Sequence, residues 1–121
     1  MKIKNKHIGF NEPSITKNEY NYIKDALKNK QLSASGIFTK KCNNLFEKKL
    51  GVKKSILTSS CTHALEAASF LININPKDEV IVPSFTFVST ANAFAIRGAK
   101  PVFIDIREDT LNMDEKLIEN L

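Results

Sequence analysis

Cysteine is scarce: Cys42 and Cys61 are the only two in 121 residues, far apart, with no CxxC pair and no histidine at ligand spacing. Neither a disulfide framework nor a zinc or other metal site is expected from such a pattern, so both are read as reduced thiols. Long apolar runs are missing as well. A membrane-spanning helix needs about 18 consecutive apolar residues; none is present, and the opening MKIKNKHIGF is basic but lacks the apolar region of a secretory leader. No membrane partner is expected, and the default address is the cytoplasm. Arginine is absent from residues 1–54, which carry 13 lysines against 4 acids, whereas residues 55–121 carry 5 basic and 9 acidic side chains. A nucleic-acid module would add arginine and a row of aromatics to so basic a segment. The lysines therefore read as a solvated face, with no nucleic-acid partner. Neither GxxxxGK(S/T) nor GxGxxG occurs, which removes the Walker loop and the dinucleotide fingerprint.

What is there suits one modest globular domain, with 42% hydrophobic residues. Thr16 and Glu19 have capping-box spacing, and Tyr20, Ile23, Ala26 and Leu27 follow on one helical face, which predicts a helix over 16–30. QLSASGIF reads as a loop. Thr39 can cap a second helix that carries Cys42, Leu45, Phe46 and Leu50 and stops at Gly51. From Lys54 the texture changes. Short apolar runs at 55–58, 79–83 and 101–106 alternate with helical patterns at 62–72 and 86–97, the latter closed by Gly98. This is β-α-β-α-β, an α/β arrangement with a parallel sheet, and the near-continuous apolarity of VIVP and VFIDI predicts strands covered on both faces. Asp114 is expected to cap one more helix over MDEKLIENL. The organisation is thus a helical segment, 1–53, followed by 54–121 as the first βαβαβ part of an incomplete domain. The last apolar pattern breaks off with no C-cap, which is read as a fragment of a larger α/β protein.

The chemistry gathers at two corners. In open α/β sheets ligands collect where strand ends feed helix starts. LTSSCTHALEAA, residues 57–68, occupies such a place. The unpaired N–H groups of a first helical turn attract an anion, and Ser59, Ser60 and Thr62 are small enough to let a phosphate approach. Plain N-capping by Ser60 or Thr62 with nothing bound explains the same residues. The second corner, PSFTFVSTANAF over 83–94, places Phe85 and Phe87 near that edge. A ring there either stacks on a planar ligand or fills core beneath the loop.

TSSCTHALEAA, PKDEVIVPSFTFVSTANAFAIRGAKPVFIDI and DTLNMDEKLIENL, with the earlier IGFNEPSI and LSASGIFTKKCNNLFEKKLG, resemble the N-terminal part of the DegT/DnrJ/StrS family over essentially the whole chain. That resemblance implies a fold-type I, pyridoxal 5'-phosphate-dependent large domain preceded by two helices. It implies an aminotransferase that moves an amino group from glutamate to a nucleotide-linked keto sugar, a dTDP-4-keto-6-deoxy sugar for surface polysaccharide, and works as a homodimer. On these positions it implies that the N–H groups of Thr62 and His63, with the Thr62 hydroxyl, hold the cofactor phosphate, and Cys61 is counted in the same cofactor-binding corner, as a small packing residue there and not as a nucleophile. Phe87 stacks on the pyridine ring, and Ser35 and Gly36 contact cofactor or sugar. No catalytic residue is assigned to this chain. The chemistry needs a lysine to form a Schiff base and an aspartate to keep the pyridine nitrogen protonated, and the resemblance places both beyond residue 121. The chain alone is therefore expected to be inactive. Relatives that dehydrate the sugar carry histidine in place of that lysine, so a dehydratase remains open, as does a non-catalytic phosphate-binding scaffold.

Overall fold

The computed structural model describes residues 9–121, which divide into two compact units, one up to Ser55 and one from Ile56 to Leu121. In the first unit, α1 runs Asn18–Lys28 and α2 runs Ile37–Leu50. The expected capping box is only half made. The Thr16 hydroxyl donates to the Glu19 carboxylate at 2.8 Å and accepts the Asn18 N–H at 3.3 Å, so the helix starts two residues later than the pattern suggests. It stops where Lys30 turns left-handed at φ 52°. Thr39 does not cap α2. Ser35 at φ 69° and an extended Gly36 at φ −64° turn the chain earlier, so Thr39 falls inside the helix. Gly51 ends α2 at φ 65°, a conformation that glycine adopts without Cβ strain. The rings of Tyr22 and Phe38 join the two helices edge to face, 5.3 Å between centroids. Neither helix buries a residue fully.

The second unit contains α3, Cys61–Leu71; β1, Glu79–Pro83; α4, Ser89–Ala95; and β2, Lys100–Ile104. The strands pair in parallel, Glu79 beside Lys100 through Pro83 beside Ile104. The connection through α4 makes a βαβ unit, the α/β class expected. Val82, Ile104, Ala91, Ala93 and Ala99 form the buried core together with Ser69. The alanines let α4 sit close to both strands, and α3 packs on α4. Ser69 is buried without cost because its hydroxyl donates to the Glu66 carbonyl at 2.8 Å.

Two expectations about the sheet need correction. The segment 55–58 pairs with no strand among the described residues, and Ile56 is 77% exposed. An apolar run becomes a strand only when a neighbouring edge offers free donors and acceptors. Coverage of both faces is not found either, since Ile81 and Phe103 stay exposed. A strand face is buried only where an element lies over it, and α4 is the helix packed on these strands. Helix α4 is also shorter than the 86–97 pattern. Its end tightens through Arg97 and Gly98 N–H groups bonded to the Phe94 and Ala95 carbonyls at 3.0 and 2.9 Å, with Gly98 at φ 92°. Beyond β2, the Asp105 carboxylate accepts the Ile106 N–H at 2.9 Å and the strand ends early, leaving Ile106 in a single bridge to Met113. The Arg107 guanidinium grips Asp109 and Glu115 in this loop, which holds the Asp109 carboxyl below its ordinary range. Asp114 does cap the last segment, accepting the Lys116 N–H at 3.1 Å, but Glu115–Asn120 forms a short 3-10 turn.

Candidate functional site

The first turn of α3 is organised by three small side chains ahead of it. Ser60, extended at φ −158°, is the N-cap, and its hydroxyl accepts the His63 N–H at 3.1 Å. The Thr58 hydroxyl donates to the Ser60 carbonyl at 2.8 Å, which fixes the corner, while that carbonyl also takes the first helical bond from Ala64 N–H at 3.1 Å. Ser59 Oγ lies 2.6 Å from His63 Nδ1. Of the two capping alternatives in the sequence, Ser60 is the one used. That choice engages the His63 amide, one of the two that the resemblance assigns to a phosphate. The amides left open are those of Cys61 and Thr62, which meet no acceptor among the described residues. Cys61 is exposed and fills no core, because its side chain stands at the first helical position. Thr62 is half-buried and His63 exposed.

The second corner follows β1. Ser84 N–H donates to the Ile104 carbonyl at 2.7 Å and continues the ladder, and the Ser84 hydroxyl reaches Asp105 Oδ1 at 3.3 Å. The hydroxyls of Thr86 and Thr90 meet at 3.0 Å across the start of α4. Phe85 and Phe87 do not fill core: they are 68% and 72% exposed. Their faces are available to a planar group.

Two contacts join the far ends of α3 and α4. The Arg97 guanidinium, just past α4, lies 5.1 Å over the ring of Phe70 in the last turn of α3. Pro76, which follows α3, presses on Gly98 so closely that a Cβ there would meet its Cγ at 2.7 Å. The carboxyl ends of α3 and α4 thus lie close together, and the two helices pack on one another.

Ser35 and Gly36 belong to the other unit. Ser35 is exposed, and Gly36 is buried against the Gln31 and Ser33 carbonyls, 3.4 and 3.8 Å from where a Cβ would stand. Gly36 lines a hollow of about 190 Å³ with Ala26, Leu32 and Phe38. The sequence reading missed the Ser59–His63 pair, although an i, i+4 spacing across a helix start was its signal. It also missed the Ser84–Asp105 bond, which follows from the strand register: these two residues succeed the paired Pro83 and Ile104.

β1, α4 and β2 form a parallel βαβ unit, which places the second unit in the α/β class. Residues 13–121 match the model of the DegT/DnrJ/EryC1/StrS aminotransferase family, and the chain belongs to that family. It is 33% identical to a GDP-perosamine synthase of Escherichia coli O157:H7 over 114 residues, 94% of this chain and 31% of the relative. A Streptococcus pneumoniae protein described as a sugar aminotransferase, solved in its PLP form, matches with a TM-score of 0.79 at 33% identity, over 93% of this chain and 29% of that one. An E coli GDP-4-keto-6-deoxy-D-mannose-3-dehydratase with bound hydrated PLP matches with the same TM-score at 25% identity, over 90% and 29%. The chain thus spans less than a third of the length of these relatives. Among the described residues no helix is long and apolar enough to cross a membrane.

Proposed function

We propose that this chain forms the N-terminal part of a pyridoxal-phosphate-dependent nucleotide-sugar aminotransferase and supplies the phosphate end of its cofactor site. The observation that carries this reading is the pair of open amides, Cys61 and Thr62, at the start of an eleven-residue helix. Their N–H groups and the positive end of the helix dipole favour a phosphoryl anion, and the Thr62 hydroxyl adds a donor. Ser60 holds the turn in shape while these groups bind. Phe87, which is exposed, is proposed to offer a flat apolar face to the cofactor's ring, and Ser35 and Gly36 to contact cofactor or sugar. The residues therefore fit the phosphate and the ring of the cofactor, which when bound supplies an electron sink for chemistry at an amino-bearing carbon.

In the parent enzyme the amino group passes from glutamate to a keto sugar carried on a nucleotide, read here as a dTDP-4-keto-6-deoxy sugar, and two subunits assemble as a homodimer. The lysine and aspartate that the reaction requires are placed outside residues 1–121, so the chain by itself binds and orients but does not transfer. Titration of the chain with pyridoxal phosphate, followed by amide NMR, tests the reading: the Cys61 and Thr62 resonances shift first. Amides that stay unmoved at millimolar cofactor overturn it. The structural likeness to a sugar 3-dehydratase favours a second reading, loss of water in place of amino transfer. Incubating the parent enzyme with 15N-glutamate separates the two, since only a transaminase leaves 15N on the sugar.

A further inference from the structure

We infer that Asp105, acting through Ser84, is a positioning residue for the Phe87 ring: it ties the loop that carries the ring to the end of the neighbouring strand. The inference rests on the cofactor reading above and concerns the ring, not the phosphate. Register brings the two residues together. Pro83 pairs with Ile104, so Ser84 and Asp105 are the next residues along the same parallel ladder, and side chains at matching positions of neighbouring strands leave the sheet on one face. The Ser84 N–H donates to the Ile104 carbonyl at 2.7 Å, and its hydroxyl donates to Asp105 Oδ1 at 3.3 Å. Main chain and side chain of one residue are thus bound to two consecutive residues of the other strand's end.

Asp105 is itself fixed from two sides. Its Oδ1 also accepts the Ile106 N–H at 2.9 Å, which sets the rotation of the carboxylate. Its carbonyl accepts the Asp114 N–H at 3.0 Å, and Ile106 bridges to Met113, so the residue is anchored to the segment that returns beside it. The loop is tied again at its far end. The Thr86 and Thr90 hydroxyls meet at 3.0 Å, and the Phe87 carbonyl accepts the Thr90 N–H at 2.9 Å. Phe85, Phe87 and Val88 nevertheless stay exposed. Apolar side chains in water gain by folding onto the nearest apolar surface, and a loop held at both ends cannot follow them there. The Ser84–Asp105 tie therefore keeps the Phe87 ring presented before a ligand arrives, which removes an ordering cost from binding. The ligand class that gains is one with a planar ring, because only such a group can stack on the preset face.

Pyridoxamine phosphate, which has the cofactor's ring but no aldehyde to react with the chain's lysines, and inorganic phosphate are each titrated into the full chain and followed by NMR. In the unsubstituted chain the ring protons of pyridoxamine phosphate are expected to move upfield over the face of Phe87. Ser84→Ala and Asp105→Ala are each expected to weaken pyridoxamine phosphate about two- to tenfold, the range of one net hydrogen bond, to shrink that upfield shift, and to leave inorganic phosphate binding unchanged. The double variant loses no more than the weaker-binding single one, since both act through one contact. Asp105→Asn keeps an acceptor oxygen and Ser84→Thr keeps the hydroxyl, so both retain the shift. Full affinity and full ring shift in Ser84→Ala and Asp105→Ala overturn the inference and leave the cofactor reading standing. Inorganic phosphate binding lost in step with pyridoxamine phosphate overturns it as well, because the tie would then hold the whole unit and not the ring. No upfield shift in the unsubstituted chain overturns the stacking on Phe87 and this inference with it.

Discussion

Replacing Ser60 separates two quantities that meet at one atom. Its hydroxyl caps α3 by accepting the His63 N–H at 3.1 Å. Ser60→Ala removes that acceptor, and loss of a serine cap costs about 1 kcal/mol. For a cooperative unit of this size, about 1 kcal/mol lowers Tm by roughly 4–8 °C. The His63 amide should then exchange about fivefold faster, since 1.4 kcal/mol is about a factor of ten. Ser60→Asp behaves differently. Aspartate caps as well as serine, so stability stays within a few tenths of a kcal/mol, but a carboxylate now stands at the helix mouth. A unit charge at about 4 Å in a water-like medium costs a like charge on the order of 1 kcal/mol, so phosphate binding falls at least fivefold while Tm holds. Thermal melts by circular dichroism and phosphate titration by NMR read the two effects independently. If Ser60→Asp binds phosphate as well as the parent chain, the anion does not sit at this helix start. If Ser60→Ala leaves both Tm and His63 exchange unchanged, the cap is not made in solution.

Gly98→Ala is expected to destabilise the second unit by roughly 2–4 kcal/mol, from left-handed strain and overpacking together, because Gly98 has φ 92° and its Cβ would meet Pro76 Cγ at 2.7 Å. Urea unfolding measures it, and a loss below about 0.5 kcal/mol would contradict the close approach. Phe87→Ala should weaken pyridoxal phosphate but leave inorganic phosphate unaffected, because only the cofactor has a ring to stack; fluorescence quenching against NMR titration distinguishes them. The Glu19 carboxyl is held below its ordinary value near 4.5, first by its own backbone N–H and then by the Thr16 hydroxyl. A lowered folded pKa contributes stability that is present above the unfolded value and is lost as pH falls through the folded one. The 13C titration midpoint of Glu19 should therefore rise in Thr16→Ala, and an unmoved midpoint would show that the hydroxyl contact of 2.8 Å is absent in solution.

Local rules in the sequence determined most of the second unit. VIVP and PVFI became the parallel pair, and Gly51 and Gly98 ended their helices because left-handed backbone is open to glycine at no steric cost. A helix after TSSC was legible too, because small polar residues ahead of an apolar period mark a helix start. Competition between equivalent groups was not legible. Ser60 and Thr62 are equally good caps on paper, and only the extended backbone at Ser60 gave it the His63 N–H. That one bond decided which amides remain open. The run at 55–58 has a strand's composition, yet pairing depends on an edge elsewhere in space, so no local pattern could settle it. Likewise Phe85 and Phe87 read equally as core or as platform, and their exposure was fixed by what packs above them. Composition and periodicity act within a few residues and set the elements. Hydrogen-bond partners and coverage depend on where neighbouring groups lie in space, and they decided which amides stay open and how exposed the rings of Phe85 and Phe87 are.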